Sequence, residues 1–136
     1  FPYRLHMTKP MELGDIKEGS YMLIDNSPCK IVEVEKSKPG KHGSAKVRVV
    51  GIDIFTGANK NYVGPSESKV EVPIIEKGSA QVLSVSGNVV QLMDLQTFQT
   101  LEAEYMEEDV KGRIKEGDEV EYWKVMDKIK IMRIKS

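Results

Sequence analysis

The feature that most restricts this chain is the rhythm of its apolar residues. They come in short β-branched runs, many of them alternating with polar residues, and Gly, Pro, Asn, Asp and Ser clusters divide the runs roughly every 8 to 12 residues. No stretch keeps helical spacing over about 10 residues or more, so the chain is expected to be all-β. Residues 21–24 form an apolar run of strand length, and the Asp25, Asn26, Ser27, Pro28 sequence turns the chain. Residues 31–35 alternate, with Val32 and Val34 on one face and Glu33 and Glu35 on the other. Residues 45–49 alternate too, but 50–54 continue with the apolar phase shifted by one, and a bulge near Val49, Val50 or Gly51 would explain the shift. Further strands are expected at 61–64 and 69–72. Such a series of short strands with frequent turns points to a small barrel.

Pro73 cannot donate to a continuing ladder and marks a boundary between residues 8–72 and 73–136. A second strand series follows at 78–85, 89–94, 97–103, 120–125 and 128–134, with 106–112 as an acidic connection or a single helical turn. The sequence Ile16, Lys17, Glu18, Gly19 recurs as Ile114, Lys115, Glu116, Gly117, each time ahead of a strand, which indicates a shared turn geometry.

Composition closes off several classes. With 40% apolar and 30% charged residues in 136, the chain reads as a globular protein of one domain or two small ones. No run approaches the roughly 18 apolar residues of a membrane span. Residues 1–7 lack the apolar core of a signal peptide, so a cytoplasmic location is expected. Cys29 is the only cysteine, which suits a reducing compartment, and it reads as a small buried hydrophobe. His6 and His42 are too few and too far apart to form a metal site with it. No nucleophile, base and orienting acid stand out, so no catalytic residue and no bound cofactor are expected.

Against this background one connection carries more chemistry than a chain reversal needs. From Lys36 to Arg48 there are five basic residues and no acidic one. Within that run, residues 37–43 read Ser37, Lys38, Pro39, Gly40, Lys41, His42, Gly43. Pro39 stiffens one side, while Gly40 and Gly43 leave the backbone beside Lys41 bare. A magnesium–phosphate loop is excluded, because Glu35 and His42 stand where that motif needs a glycine and a Ser or Thr. Residues 1–73 hold 11 Lys/Arg against 9 Asp/Glu, and residues 74–136 hold 9 against 12. Phosphate contacts are therefore expected from the first half. Phe98, Tyr105, Tyr122 and Trp123 read mainly as packing residues of the second.

Residues 37–46 resemble the hypusine loop of the translation factor 5A family, also called initiation factor 5A, with Pro39 as in archaeal members. The similarity extends through 49–55, 69–75 and 91–97 and covers nearly the whole chain from Thr8. It implies an SH3-like N-terminal barrel followed by an OB-fold. It also implies that Lys41 receives an aminobutyl group from spermidine through deoxyhypusine synthase, giving deoxyhypusine or hypusine. The partners so implied are the ribosome, its RNA and the transfer RNA in the peptidyl site, with neither membrane nor DNA expected. Within the loop, Lys38 and Lys46 are the candidate phosphate or enzyme contacts, and His42 a hydrogen-bonding residue or a bystander. A generic RNA-binding module without lysine modification is the competing reading. An enzyme using Lys41 as a Schiff base would need a desolvated amine, which these cationic surroundings do not provide.

Overall fold

A computed structural model describes residues 7–37 and 45–135, which form two compact units, the first ending at Ile74 and the second beginning at Ile75. In the first, β1 (Thr8–Glu12) leads through a 3-10 turn (Leu13–Asp15) to β2 (Tyr21–Ile24), β3 (Ser27–Ser37), β4 (Lys46–Asp53), β5 (Asn59–Pro65) and β6 (Lys69–Pro73). Strands β2 to β5 make one antiparallel sheet in chain order, and β1 pairs with β6. With β2 lying against β6, the two layers close an SH3-like barrel over Leu13, Met22, Ile31, Val47 and Val49.

The second unit comprises β7 (Glu76–Ser86), β8 (Val89–Asp94), β9 (Thr100–Ala103), β10 (Tyr105–Met106), β11 (Glu119–Val125) and β12 (Lys128–Ile134). Its sheet runs β10, β12, β11, β7, β8, β9, and β9 meets β12 to curl it into the OB-fold barrel. Val82, Leu92, Val120 and Ile131 fill its centre. Between β10 and β11 the acidic stretch forms turns, with the Val110 N–H donating to Glu107 O and the Ile114 N–H to Val110 O.

Several local expectations change. Strand β1 carries Pro10 and no alternation, so the sequence offers no strand signal there; pairing with β6 on one side is what makes it a strand. The chain reverses at Asp25 and Asn26 alone, both in the left-handed region, so Ser27 and Pro28 belong to β3. The bulge lies on β3, where the register skips Val32, and β4 continues without a break. Val32 is consequently 45% exposed and does not share a face with Val34, which packs against the core. Pro73, read as the first residue past the boundary, is the last residue of β6 and pairs with Thr8.

The two units repeat one four-stranded pattern with a different order of connection. Strands β2, β3, β4, β5 correspond to β11, β7, β8, β9, as their registers show. Ile31 faces Gly51 and the bulge follows; Val82 faces Leu92 and a bulge follows there too. The recurrent Ile-Lys-Glu-Gly turn docks on this bulge in both. Gly19 N–H donates to Ile31 O and Ile31 N–H to Ser20 O; Gly117 N–H donates to Val82 O and Val82 N–H to Asp118 O. Each glycine sits at φ 89°, which a side chain would strain.

The far ends of β4 and β8 also match. Asp53 Oδ1 accepts the N–H groups of Phe55 and Thr56, as Asp94 Oδ1 accepts those of Gln96 and Thr97. Gly57 takes the left-handed position in the first turn, whereas Phe98 takes it in the second at φ 62° and 69% exposure. The second carboxylate has an extra partner, the Tyr122 hydroxyl, which donates to Asp94 Oδ2 at 2.5 Å. Gly78 leaves room for that ring, since a Cβ there would lie 2.7 Å from it.

That contact sets a pH dependence. The Tyr122 hydroxyl, followed by the backbone N–H groups of the turn, holds the Asp94 carboxyl below the usual carboxylate range. Burial first and Asp94 second push the Tyr122 phenol up to about 12. A carboxyl with a depressed folded pKa contributes stability above its unfolded value of about 4, and that contribution is lost as pH falls through the folded value. The phenol contributes below its unfolded value of about 10 and loses that contribution as pH rises toward 12. Tyr122→Phe is expected to cost about 1.5–3 kcal/mol near neutrality. The penalty should shrink below about pH 4 and again above about pH 10. Chemical denaturation across pH checks this; a penalty equal at pH 3 and pH 7 would show that the ring packs without holding the carboxylate.

Candidate functional site

The stem of the basic loop is the β3–β4 ribbon. Its last pairs are Glu35 with Arg48, Lys36 with Val47 and Ser37 with Lys46. Val47 points into the core, while Ser37 and Lys46 stand exposed at the end of the ribbon. Lys38, Pro39, Gly40, Lys41, His42 and Gly43 lie outside the described residues. Of the predicted site residues, the structure thus places Ser37 and Lys46, opposite each other at the mouth of the loop.

The stem's other charges are engaged within the unit. Arg48 pairs with Glu35 at 3.3 Å across the ribbon, an exposed pair of small energetic weight. Lys36 Nζ donates to Gly14 O at 3.0 Å. The same corner holds the returning strand, because Gly14 N–H donates to Ser66 O and Ser66 N–H donates to Ala45 O. Gly14 and Ser66 did not stand out in the sequence, and no local signal could have marked them. Their significance comes from contacts between segments far apart in the chain.

The internal correspondence supplies a control for this ribbon. In the second unit the equivalent strands end at the pair Ser86 and Val89, which matches Glu35 and Arg48, and Gly87 and Asn88 alone reverse the chain. The first unit adds two more pairs and then the eight residues 38–45. Closing these strands needs two residues, so the rest of the loop is not required by the topology.

The remaining candidates resolve as follows. Tyr122 is a core residue; Tyr105 and Trp123 are half-buried, with Lys128 Nζ 5.9 Å from the centre of the Tyr105 ring and Lys77 Nζ 4.9 Å from that of Trp123. Phe98 stands alone among the four as an exposed ring. Cys29 is fully buried, and burial, then the Asp53 carboxylate, push its thiol up to about 11, so it is a packing residue and not a nucleophile at neutral pH. Among the described residues no three His, Cys, Asp or Glu side chains come together as a metal site, and no helix is long and apolar enough to cross a membrane.

Both units match known family models. Residues 6–68 match "Translation initiation factor 5A-like, N-terminal", and residues 74–135 match "Eukaryotic elongation factor 5A hypusine, DNA-binding OB fold". The class is that of translation factors built from two small barrels, the first bearing a basic loop. Relatives named translation initiation factor 5A include that of Pyrobaculum islandicum, 53% identical over 94% of this chain and 98% of its own length. That of Caldivirga maquilingensis is 55% identical over 93% and 97%. The solved structure of eukaryotic translation initiation factor 5A from Methanococcus jannaschii is 50% identical and superposes with a TM-score of 0.84, covering 93% of this chain and 94% of the other. The chain belongs to the translation initiation factor 5A family.

Proposed function

We propose that this protein acts on the ribosome beside the transfer RNA in the peptidyl site, through a hypusine or deoxyhypusine made from Lys41. The observation that carries this reading is the contrast between the two equivalent strand pairs: one closes with Gly87 and Asn88, the other with eight residues centred on a lysine. Membership of a family with hypusine in the description of one of its models supports a modified lysine in this chain, and the resemblance of residues 37–46 to the hypusine loop assigns it to Lys41. Deoxyhypusine synthase transfers the aminobutyl group from spermidine to Lys41: the C–N bond between that group and the secondary amine breaks, a C–N bond to Nζ forms, and 1,3-diaminopropane leaves with the proton that Nζ gives up. The product keeps a cationic nitrogen at the lysine and adds a second amine on a longer arm. Such an arm reaches phosphate and 2′-hydroxyl groups in a crevice too narrow for a barrel.

In this mechanism the ribosome performs the chemistry, and the protein orders the acceptor end of the transfer RNA for peptide transfer. The gain is largest where the nascent chain resists that geometry, as at consecutive prolines. Lys38 and Lys46 add phosphate contacts or docking charges for the modifying enzyme, and Ser37, Pro39, Gly40, His42 and Gly43 shape the presentation of Lys41. The protein works in the cytoplasm, is not itself an enzyme and binds no cofactor. Mass measurement of the Lys41 peptide from the native cell tests the reading. An aminobutyl-type increase confined to Lys41 is expected; an unmodified lysine would leave a generic RNA-binding module instead.

A further inference from the structure

We infer that Gly14 and Lys36 are positioning residues for Lys41, because they clamp both ends of the 38–44 segment to one corner of the first barrel. The inference rests on the proposed role of Lys41. On the entering side, Lys36 Nζ donates to Gly14 O at 3.0 Å. On the leaving side, Gly14 N–H donates to Ser66 O at 2.8 Å, and Ser66 N–H donates to Ala45 O at 2.9 Å. Two strand ends already joined by the pair of Ser37 and Lys46 are therefore joined again through the 3-10 turn and the connection after β5.

The corner itself is rooted in the core. Leu13, the neighbour of Gly14, is fully buried and its N–H donates to Ser68 O at 2.8 Å. Glycine at position 14 answers to space, not to backbone conformation: a Cβ there would lie 3.1 Å from both the Cβ and the O of Ser66. At the mouth of the loop β4 has β5 on its other side, through the pair of Lys46 with Pro65, whereas Lys36 and Ser37 of β3 pair with β4 alone, and a strand end held by one ladder frays more readily. Fixing both ends to a third segment lowers the ordering cost of presenting one amine in one place. In this arrangement the Lys36 charge works inside the protein and is not a phosphate contact.

The test uses the full chain, unmodified, with purified deoxyhypusine synthase and spermidine. Lys36→Met removes the donor, Lys36→Arg keeps one, and Gly14→Ala displaces Ser66 without changing charge. Lys36→Met and Gly14→Ala are each expected to raise the KM for the protein substrate roughly two- to fivefold, the scale of an exposed charged contact. Neither kcat nor Tm should move, and Lys36→Arg should retain the wild-type KM. Because both changes open one clamp, the double variant is expected to be no worse than the poorer single variant. Hydrogen exchange at the Ser66 amide should quicken in both single variants.

An unchanged KM overturns the inference. So do additive effects, which would mean that Lys36 touches the enzyme directly, and so does a Ser66 amide indifferent to both changes. A wild-type chain that accepts no aminobutyl group would instead end the reading of Lys41. The exchange of Ser66 would then decide by itself whether the clamp exists.

Discussion

Lys41→Arg is expected to abolish the protein's effect on translation while leaving the fold intact. Arginine keeps the positive charge, so a mechanism that needed only a cation on the loop would survive. What it cannot do is accept the aminobutyl group, so the arm that the proposed mechanism extends to the transfer RNA would never be made. Loss of positioning at the reacting centre commonly costs on the order of 10²-fold, and a slowing of that size is expected at runs of consecutive prolines. The measurement is the synthesis rate of a proline-rich reporter in cells depending on this factor, beside a reporter without such runs. Normal synthesis of both with the arginine variant would end the hypusine mechanism and favour a module that binds RNA through charge alone. The salt dependence of that binding should be unaltered by the substitution.

The largest stability effect is expected at Gly51, beside a position that a hydrophobicity argument would rank higher. Gly51 faces inward on β4, where a Cβ would lie 2.8 Å from the Cβ of Cys29 and 3.2 Å from the methyl ends of Ile24 and Ile31. Those neighbours are buried side chains of the barrel core. Gly51→Ala is expected to cost about 1–3 kcal/mol by overpacking. Gly51→Val adds two more methyl groups in the same space and should exceed that range, a large part of the stability of a small domain. Ile52, the next residue, is 36% exposed on the outer face, and Ile52→Ala is expected to change stability by less than about 1 kcal/mol. Denaturation midpoints of the variants decide it. A tolerated Gly51→Val would mean that the Cys29 end of the barrel yields, contrary to its packing.

The same pair of residues marks the limit of apolar alternation as a structural signal. Apolar alternation over 45–49 and its reversal over 50–54 looked like a bulge in β4, because a glycine counts as nothing in a hydrophobic pattern. Here glycine is the inward residue, the only one that fits over Cys29, and Ile52 is displaced outward without any break in β4. The extra residue belongs to β3, where Val32 is as apolar as its neighbours and carries no mark of being unpaired. The repeated Ile-Lys-Glu-Gly sequence announced a turn, but not the bulge on which each copy docks, since that partner lies elsewhere in the chain. Of the candidate site, the sequence offers the basic loop as an expectation, because charge, proline and glycine at a chain reversal are local properties, and the structure places only Ser37 and Lys46 of it. Gly14, Ser66 and the pin from Lys36 were not, because a hydrogen bond between residues 22 apart leaves no periodic trace.

By itself, then, the amino-acid order determined the all-β class and the approximate strands and set one basic loop apart by its composition, because backbone propensity, side-chain alternation and loop chemistry are written within a few neighbouring positions. Only the tertiary structure decided which face of each strand is buried and which strand absorbs the extra residue. It alone joined segments remote in the chain into the corner where Gly14, Lys36, Ala45 and Ser66 meet, because packing space and hydrogen-bond partners exist only once distant strands lie side by side.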